Sequence, residues 1–369
     1  MAGGEKISIR QFTVLAMFYT IGTTILVIPS TLASDAKQNA WIASIAGLLA
    51  SMAIVALYIA IGRLYPNTTL AGMLEAAFGK WLGKLATLAF IFFSFVGGSA
   101  VLYYMGNFMT TQIMPETPIG AFIVLFGGLV VIGVRLGLEV LARTAEILFP
   151  WFLMLFIVSA LFLLPEIDLA NVKPIVGIGL KPIAKASLAY TGTATLPLVL
   201  FLMFFPAALN RKQGAGKALL VGNVIGGLFI VIVTYLSISV LGADFSSRNL
   251  YPSYALAKKI NIGNFIQRVE ILMAGMWFLS IFFKAAFYAY GFAAGLARLC
   301  GCKDYRPLAL PCGMILIAYS LVVYPNVVYM MDFDSTVYIP YAISTGLLLP
   351  LLLLAAGLIR KKPGGRTNE

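Results

Sequence analysis

The sequence has no histidine in 369 residues, only 14 acidic residues and only three cysteines. Without histidine there is no side chain whose unperturbed titration lies near neutrality, and no imidazole to ligate a metal or act as a general base. Cys300, Cys302 and Cys312 form an odd, sparse set that gives no disulfide framework. The Cys300-x-Cys302 pair has no second pair to complete a zinc site, so no metal and no cofactor is expected. A Gly-x-Ser-x-Gly turn, a phosphate-cradling loop and clustered metal-binding acids are also missing. An enzyme is therefore not expected.

Charge is scarce as well. Charged residues make up 11% of the chain and hydrophobic residues 61%, whereas a soluble domain is usually about a quarter charged. Such a chain cannot cover its own surface in water, so the lipid bilayer is its solvent. In a soluble protein the net charge of +12 would hint at nucleic acid. Here lysine and arginine fall between apolar runs, where they set topology, and no nucleic-acid partner is expected. The apolar stretch after Lys6 and Arg10 exceeds 20 residues without a small-residue cleavage site, so the first helix is read as retained.

What is present is a series of apolar runs near the length of roughly 20 residues that a spanning helix needs. They predict an all-α integral membrane protein with about ten transmembrane helices, at 12–33, 40–62, 85–108, 119–135, 144–164, 183–207, 217–241, 265–297, 308–325 and 336–359. The whole chain, 1–369, reads as one transmembrane domain. With the N-terminus in the cytoplasm, 17 of the 26 Lys and Arg residues fall on the cytoplasmic side, 8 fall outside and Lys284 lies within a span. This bias supports both termini inside. Three loops read as structured: 68–80 as a helix in the cytoplasmic interface, 165–182 as a polar external loop, and 246–263 as carrying a short external helix from near Pro252. The tail KKPGGRTNE reads as disordered.

Two spans are not plain apolar runs. Span one carries Tyr19-Thr20-Ile21-Gly22-Thr23-Thr24, with Pro29 a turn later. Span six carries Tyr190-Thr191-Gly192-Thr193-Ala194-Thr195-Leu196-Pro197. With one gap the Tyr-Thr, Gly-Thr and Thr elements align. These spans open two sets of five, about 11–165 and 183–359. Five is odd, so the second set runs inverted, and the expected fold is a 5+5 inverted repeat with discontinuous helices one and six. Glycine and proline weaken a helix by about 1 and about 3 kcal/mol relative to alanine. The backbone groups that a break frees cannot be satisfied by lipid, but they can line a ligand site. Freed N–H groups suit a carboxylate and freed carbonyls a cation, so the site suits an amino acid. Small-residue helix packing is the competing role for these glycines.

Lys284 is the only charged residue from Ile271 to Ala297. A mid-span lysine costs roughly 2.5–3.5 kcal/mol on insertion scales, so it should face the bundle interior and a partner. Three partners stay open: a ligand carboxylate, a cation site that the amine fills, or a carboxylate such as Glu270 or Glu146. A proton role is open too. Tyr288 lies one turn on, on the same face. Span three adds Gly97, Gly98, Ser99, Ala100, Tyr103, Tyr104 and Asn107. There the glycines suit close packing, and Ser99, Ala100 and Tyr103 are candidate ligand contacts.

The run YPSYALAKKINIGNFIQRVEILMAGMWFLSIFFKAAFYAYG, followed by LCGCKDYRPLALP, resembles the spore germination permease family, the B subunits of germinant receptors (GerAB/GerKB type). Further matches are YPNTTLAGMLEAAFGKWLGK, VKPIVGIGLKPI and the IPS at 28–30. The segment with Pro252, Ile262-Gly263, Arg268, Glu270, Trp277 and Lys284 is the most specific. The resemblance implies the amino acid–polyamine–organocation transporter superfamily, the inner membrane of the spore, nutrient sensing, and A and C subunits as partners. It implies ligand contacts at Gly22, Thr23, Thr24, Gly192, Thr193, Lys284 and Tyr288, and Thr195 belongs to the same break. Span six departs from many relatives, because TGTATLPL has no acidic residue near its break. Two functions follow: a germinant receptor subunit that binds an amino acid or other small nutrient, or a proton-coupled amino acid transporter.

Overall fold

The computed structural model describes residues 5–175, 179–260 and 270–360. Its regular elements are all helical among the described residues, apart from one isolated bridge between Ile7 and Leu209. Helices are what a chain in lipid requires, since each keeps its backbone hydrogen bonds within itself. The chain runs through α1 (Ile9–Ile21), α2 (Thr24–Ala36), α3 (Ala40–Leu64), α4 (Leu70–Phe78), α5 (Lys80–Phe108), α6 (Ile119–Leu136) and α7 (Leu138–Leu163). The second half holds α8 (Leu180–Ala194), a 3-10 stretch at Leu196–Met203, α9 (Ala215–Leu241), and the short α10 (Ala243–Arg248) and α11 (Pro252–Ala257). It continues with α12 (Glu270–Leu299) and α13 (Arg306–Ser320). A last rod consists of α14 (Val327–Phe333), α15 (Ile339–Ile343) and α16 (Leu349–Arg360), joined by π-helical turns at Asp334–Tyr338 and Ser344–Leu348.

Eight helical stretches are long and apolar enough to cross a membrane, with Thr24–Leu64 counting as one, and Ile9–Ile21 and Arg306–Ser320 are shorter apolar helices. Length alone therefore gives eight rather than the expected ten. The higher number needs α1 and α2 read as one interrupted span, α3 as a second, and the 15-residue α13 as a crossing. The predicted helix within 68–80 is α4, capped by the Thr69 hydroxyl, which accepts from Gly72 N–H at 3.4 Å. Gly79, at φ 85°, ends it and turns the chain directly into α5, which therefore begins at Lys80 rather than 85. The expected external helix is α11, opened by Pro252 at its first position. The tenth run starts at Val327 rather than 336, because the Asn326 side chain accepts from Tyr329 N–H at 2.8 Å and starts a helix ahead of Asp332 and Asp334. The Ile262-Gly263 and Arg268 motif positions, residues 261–269 at the start of the eighth expected span, residues 176–178 of the 165–182 loop and the tail at 361–369 lie outside the described residues.

The core is an interior of facing helices. α12 lies in its middle, against α1, α5, α6, α7 and α13. α1 lies so close to α9 that an added Cβ at Gly222 would stand 2.5 Å from the Thr13 carbonyl oxygen, and one at Gly226 2.8 Å from that of Met17. This small-xxx-small pair is what lets the two backbones touch. α2 runs along α8, so the two interrupted helices meet where they break.

Candidate functional site

α1 ends at Ile21, and Gly22 turns the chain with φ 30°, its N–H donating to Phe18 O at 2.8 Å. Few side chains tolerate that φ. Thr23 then starts α2, and Leu26 N–H donates to Thr23 O at 3.1 Å. Gly22 O is thereby left without its helical donor, and Ser280 Oγ of α12 donates to it at 3.2 Å. Pro29 sits inside α2 and takes no part in the break.

The break in span six lies further along than the aligned motif suggests. Gly192, Thr193 and Ala194 remain helical, and the chain leaves α8 at Thr195, with φ −115°. Pro197 explains the offset: it has no N–H to give Thr193 O, and its ring crowds that carbonyl. The freed oxygen is taken by Lys284 Nζ, which donates to it at 3.0 Å and to Thr24 Oγ1 at 3.1 Å. One amine thus ties the start of α2 to the end of α8. The 3-10 stretch beyond is held by tyrosines. Tyr19 Oη donates to Pro197 O at 3.1 Å, and Tyr58 Oη lies 2.9 Å from Leu196 O and 2.5 Å from Gly346 O.

Neither proposed carboxylate partners Lys284. Glu146 pairs with Arg10 at 3.1 Å and accepts from Gln11 at 3.0 Å. Glu270 stands 14 residues earlier on α12, about 21 Å away along the axis. The lysine is instead held by a hydroxyl and a backbone carbonyl, acceptors that intramembrane charges use in place of a counter-ion.

Lys284 borders a cavity of about 800 Å³ that Thr23, Ala100, Thr193 and Tyr288 also line. Thr24 braces the amine. Gly22 lies beneath the Lys284 side chain, and any Cβ there would overlap it. The other expected residues point elsewhere. Ser99 Oγ donates to Leu316 O of α13 at 3.4 Å, and Tyr103 packs edge-on against Tyr324 with ring centroids 5.1 Å apart. Gly192 faces Ile339, and the buried Thr195 hydroxyl has no hydrogen-bond partner among the described residues. Lining residues that were not foreseen as contacts include Gly97, Tyr104, Asp334 and Tyr338. Gly97 makes room for the Tyr288 ring. Asp334 was hidden by starting the tenth span at 336, and the Asn326 cap ahead of it was the signal that would have found it.

The cavity reaches the surface at one end, where Lys185 pairs with Asp35 at 2.7 Å. At the other end Tyr19, Phe201, Phe204 and Phe287 close it, with successive ring centroids at 5.2, 4.8 and 5.5 Å for Tyr19–Phe201, Phe201–Phe287 and Phe204–Phe287. Beyond this plug the N-terminal segment is clipped down. Ile7 N–H donates to Ala208 O at 3.0 Å, Asn210 N–H donates to Ile7 O at 3.0 Å, and Glu5 pairs with Arg306. The arrangement is a polar-centred pocket open to one side and sealed on the other.

A family model described as "Spore germination protein" matches residues 6–328. The chain is 28% identical to spore germination protein KB of Bacillus subtilis (strain 168), over 97% of this chain and 96% of that protein. It is 23% identical to spore germination protein YndE of the same organism, over 97% and 98%. Among solved structures, it resembles MHP1, a nucleobase-cation-symport-1 family transporter in a closed conformation with bromovinylhydantoin bound. The TM-score is 0.71 and the identity 13%, covering 99% of this chain and 82% of that one. It also resembles MhsT in complex with L-phenylalanine, with a TM-score of 0.67 and 16% identity, covering 96% and 99%. These likenesses show a transporter fold, in keeping with the expected inverted repeat.

Proposed function

Because this chain belongs to the spore germination protein family, we propose that it is the nutrient-binding membrane subunit of a germinant receptor, and that it takes a small polar nutrient, an amino acid, between the two broken helices. The observation that carries this reading is Lys284. A single amine joins both breaks and borders an 800 Å³ cavity. A ligand carboxylate that draws this amine away from Thr24 or Thr193 would loosen one half-helix from the other. In a receptor, A and C subunits would read that shift through contacts within the membrane. On this reading the protein sits in the inner membrane of the spore, with both termini on the core side. Of the expected contacts, Thr23, Ala100, Thr193, Lys284 and Tyr288 are the ones proposed to meet the ligand, and Gly22 and Thr24 hold Lys284.

The second reading is a proton-coupled amino acid transporter, favoured by the fold it shares with MHP1 and MhsT. Two measurements on the purified protein separate the readings. Thermal-shift screening against amino acids tests the site, since a ligand at 100 times its Kd adds about 2.7 kcal/mol. Uptake of labelled amino acid into liposomes without partner subunits tests transport. Binding without uptake supports the receptor, uptake supports the transporter, and the absence of any binding removes both.

A further inference from the structure

Asp334 lies on the wall of the same cavity, on the π-helical turn of the last rod. Its carboxylate has no hydrogen bond or ion pair among the described residues, and it is only partly exposed. An unpaired carboxylate at such a place is costly unless an opposite charge comes to it. Its level in the bundle is fixed by a neighbouring contact. The hydroxyls of Tyr288 on α12 and Tyr338 on the rod stand 3.4 Å apart. Lys284 is four residues before Tyr288, and Asp334 is four residues before Tyr338. Only α13 separates the two elements in sequence, so α12 and the rod run in the same direction across the bundle. Both steps therefore lead from the tyrosine contact toward the same end. Lys284 and Asp334 both lie toward the same end of the bundle from that contact, and both line the one cavity.

The rest of the lining decides what fits between them. Val27, Ile28, Leu188, Leu250, Met330 and Ile339 make its surface largely apolar. At the mouth Asp35 and Lys185 neutralise each other, while Asp332 is exposed. The interior thus holds one fixed cation and one fixed anion on largely apolar walls that also carry the hydroxyls of Thr23, Thr193, Tyr288 and Tyr338. We infer that Asp334 recognises the ammonium group of the ligand, and that the ligand class is α-amino acids with apolar side chains, the carboxylate facing Lys284. This inference rests on the nutrient-binding reading above and deepens it.

The test uses the purified full-length protein and calorimetric titration with L-alanine, L-valine, L-leucine and L-phenylalanine. It adds 2-hydroxy-4-methylpentanoate, the analogue of leucine with a hydroxyl in place of the ammonium. The wild type should bind one or more of these amino acids and prefer leucine to its hydroxy analogue by about tenfold or more. Asp334→Asn and Asp334→Ser should each erase that preference, weakening the amino acids about tenfold and leaving the hydroxy acid within about threefold. The analogue also reports that the variants are folded. Asp332→Asn, at the exposed mouth, should keep the wild-type preference. If both Asp334 variants keep it, the assignment of Asp334 is overturned and the nutrient site stands. If the wild type binds none of the amino acids, the ligand class falls, and the site reading falls with it.

Discussion

The Lys284 ammonium lies 3.0 Å from the carbonyl oxygen of Thr193, an acceptor that Pro197 has deprived of its helical donor. A proline in the broken sixth span and a lysine 87 residues later in α12 are therefore parts of one device. Helix breaking exposes the carbonyl, and the intramembrane lysine occupies it; on the proposed reading a ligand carboxylate competes for that lysine.

Replacing Lys284 by Met removes the charge and both hydrogen bonds while keeping much of the volume. Insertion should not suffer, since a mid-span lysine costs roughly 2.5–3.5 kcal/mol on insertion scales. The ligand-induced stabilisation, about 2.7 kcal/mol at 100 times Kd for the wild type, should vanish. Membrane fractionation and thermal-shift titration check the two halves. An unchanged ligand response would remove Lys284 from the site.

Pro197→Ala restores an N–H that can reach Thr193 O. Alanine is about 3 kcal/mol better than proline in a helix interior, so α8 should extend through the break and compete with Lys284 for the carbonyl. The unliganded protein should melt higher than the wild type while ligand affinity falls by about tenfold or more. Higher affinity, or no change in either quantity, would mean that the break owes nothing to this proline.

The two aligned glycines should behave differently. Gly22 has φ 30°, and its missing Cβ leaves the space the Lys284 side chain fills. Gly22→Ala therefore costs about 1–2 kcal/mol in backbone strain alone and displaces the lysine as well. At Gly192 the nearest atom to an added Cβ is Ile339 Cγ1 at 3.6 Å, which is ordinary contact. Within a helix Gly192→Ala should stabilise by about 0.5–1 kcal/mol. Equal melting temperatures for the two variants would contradict the asymmetry.

That asymmetry marks how far the sequence could be read. The membrane class, the two interrupted helices, the interior position of Lys284 and the short helices at 70–78 and 252–257 all follow from local chemistry: apolar run length, Gly and Pro placement, and capping residues. The site was legible where a residue's role is decided by its own helix, as for Gly22 or Lys284. It was not legible where the role is decided by what lies across the bundle. Ser99 turns to α13, and Tyr103 to Tyr324, because their faces of α5 meet other helices. Asp334 enters the cavity because a side-chain cap eight residues earlier starts its helix ahead of the apolar run. The repeat motif aligned Gly22 with Gly192 by composition, whereas the second break is set by Pro197, outside the aligned Gly-Thr pair.

Tyr58 fastens the 3-10 stretch to the last rod through its hydroxyl, which lies within hydrogen-bond reach of Leu196 O and Gly346 O. Gly346 is required at this crossing, where an added Cβ would stand 2.6 Å from Leu196 O. Tyr58→Phe leaves buried acceptors short of a donor, which costs about 1–3 kcal/mol. The melting temperature should fall without ligand, and the ligand-induced shift should persist, since Tyr58 lies away from the cavity. Loss of the shift would instead place this joint in the path between binding and response.

The side on which the cavity opens can be read from two thiols. Cys300 and Cys302 are exposed on the segment joining α12 to α13, and Cys312 is buried, so a thiol reagent reports on that segment. On the proposed orientation, with both termini inside, that segment lies on the cytoplasmic side. α2 and α12 then both fix the mouth, with its Asp35–Lys185 pair, on the opposite face. A membrane-impermeant maleimide should leave intact cells expressing the protein unlabelled and label it after permeabilisation, while Cys300→Ser with Cys302→Ser abolishes the signal. Labelling of intact cells would invert the whole assembly. The cavity would then face the compartment in which the chain is made, and a receptor for nutrients arriving from outside could not work through it.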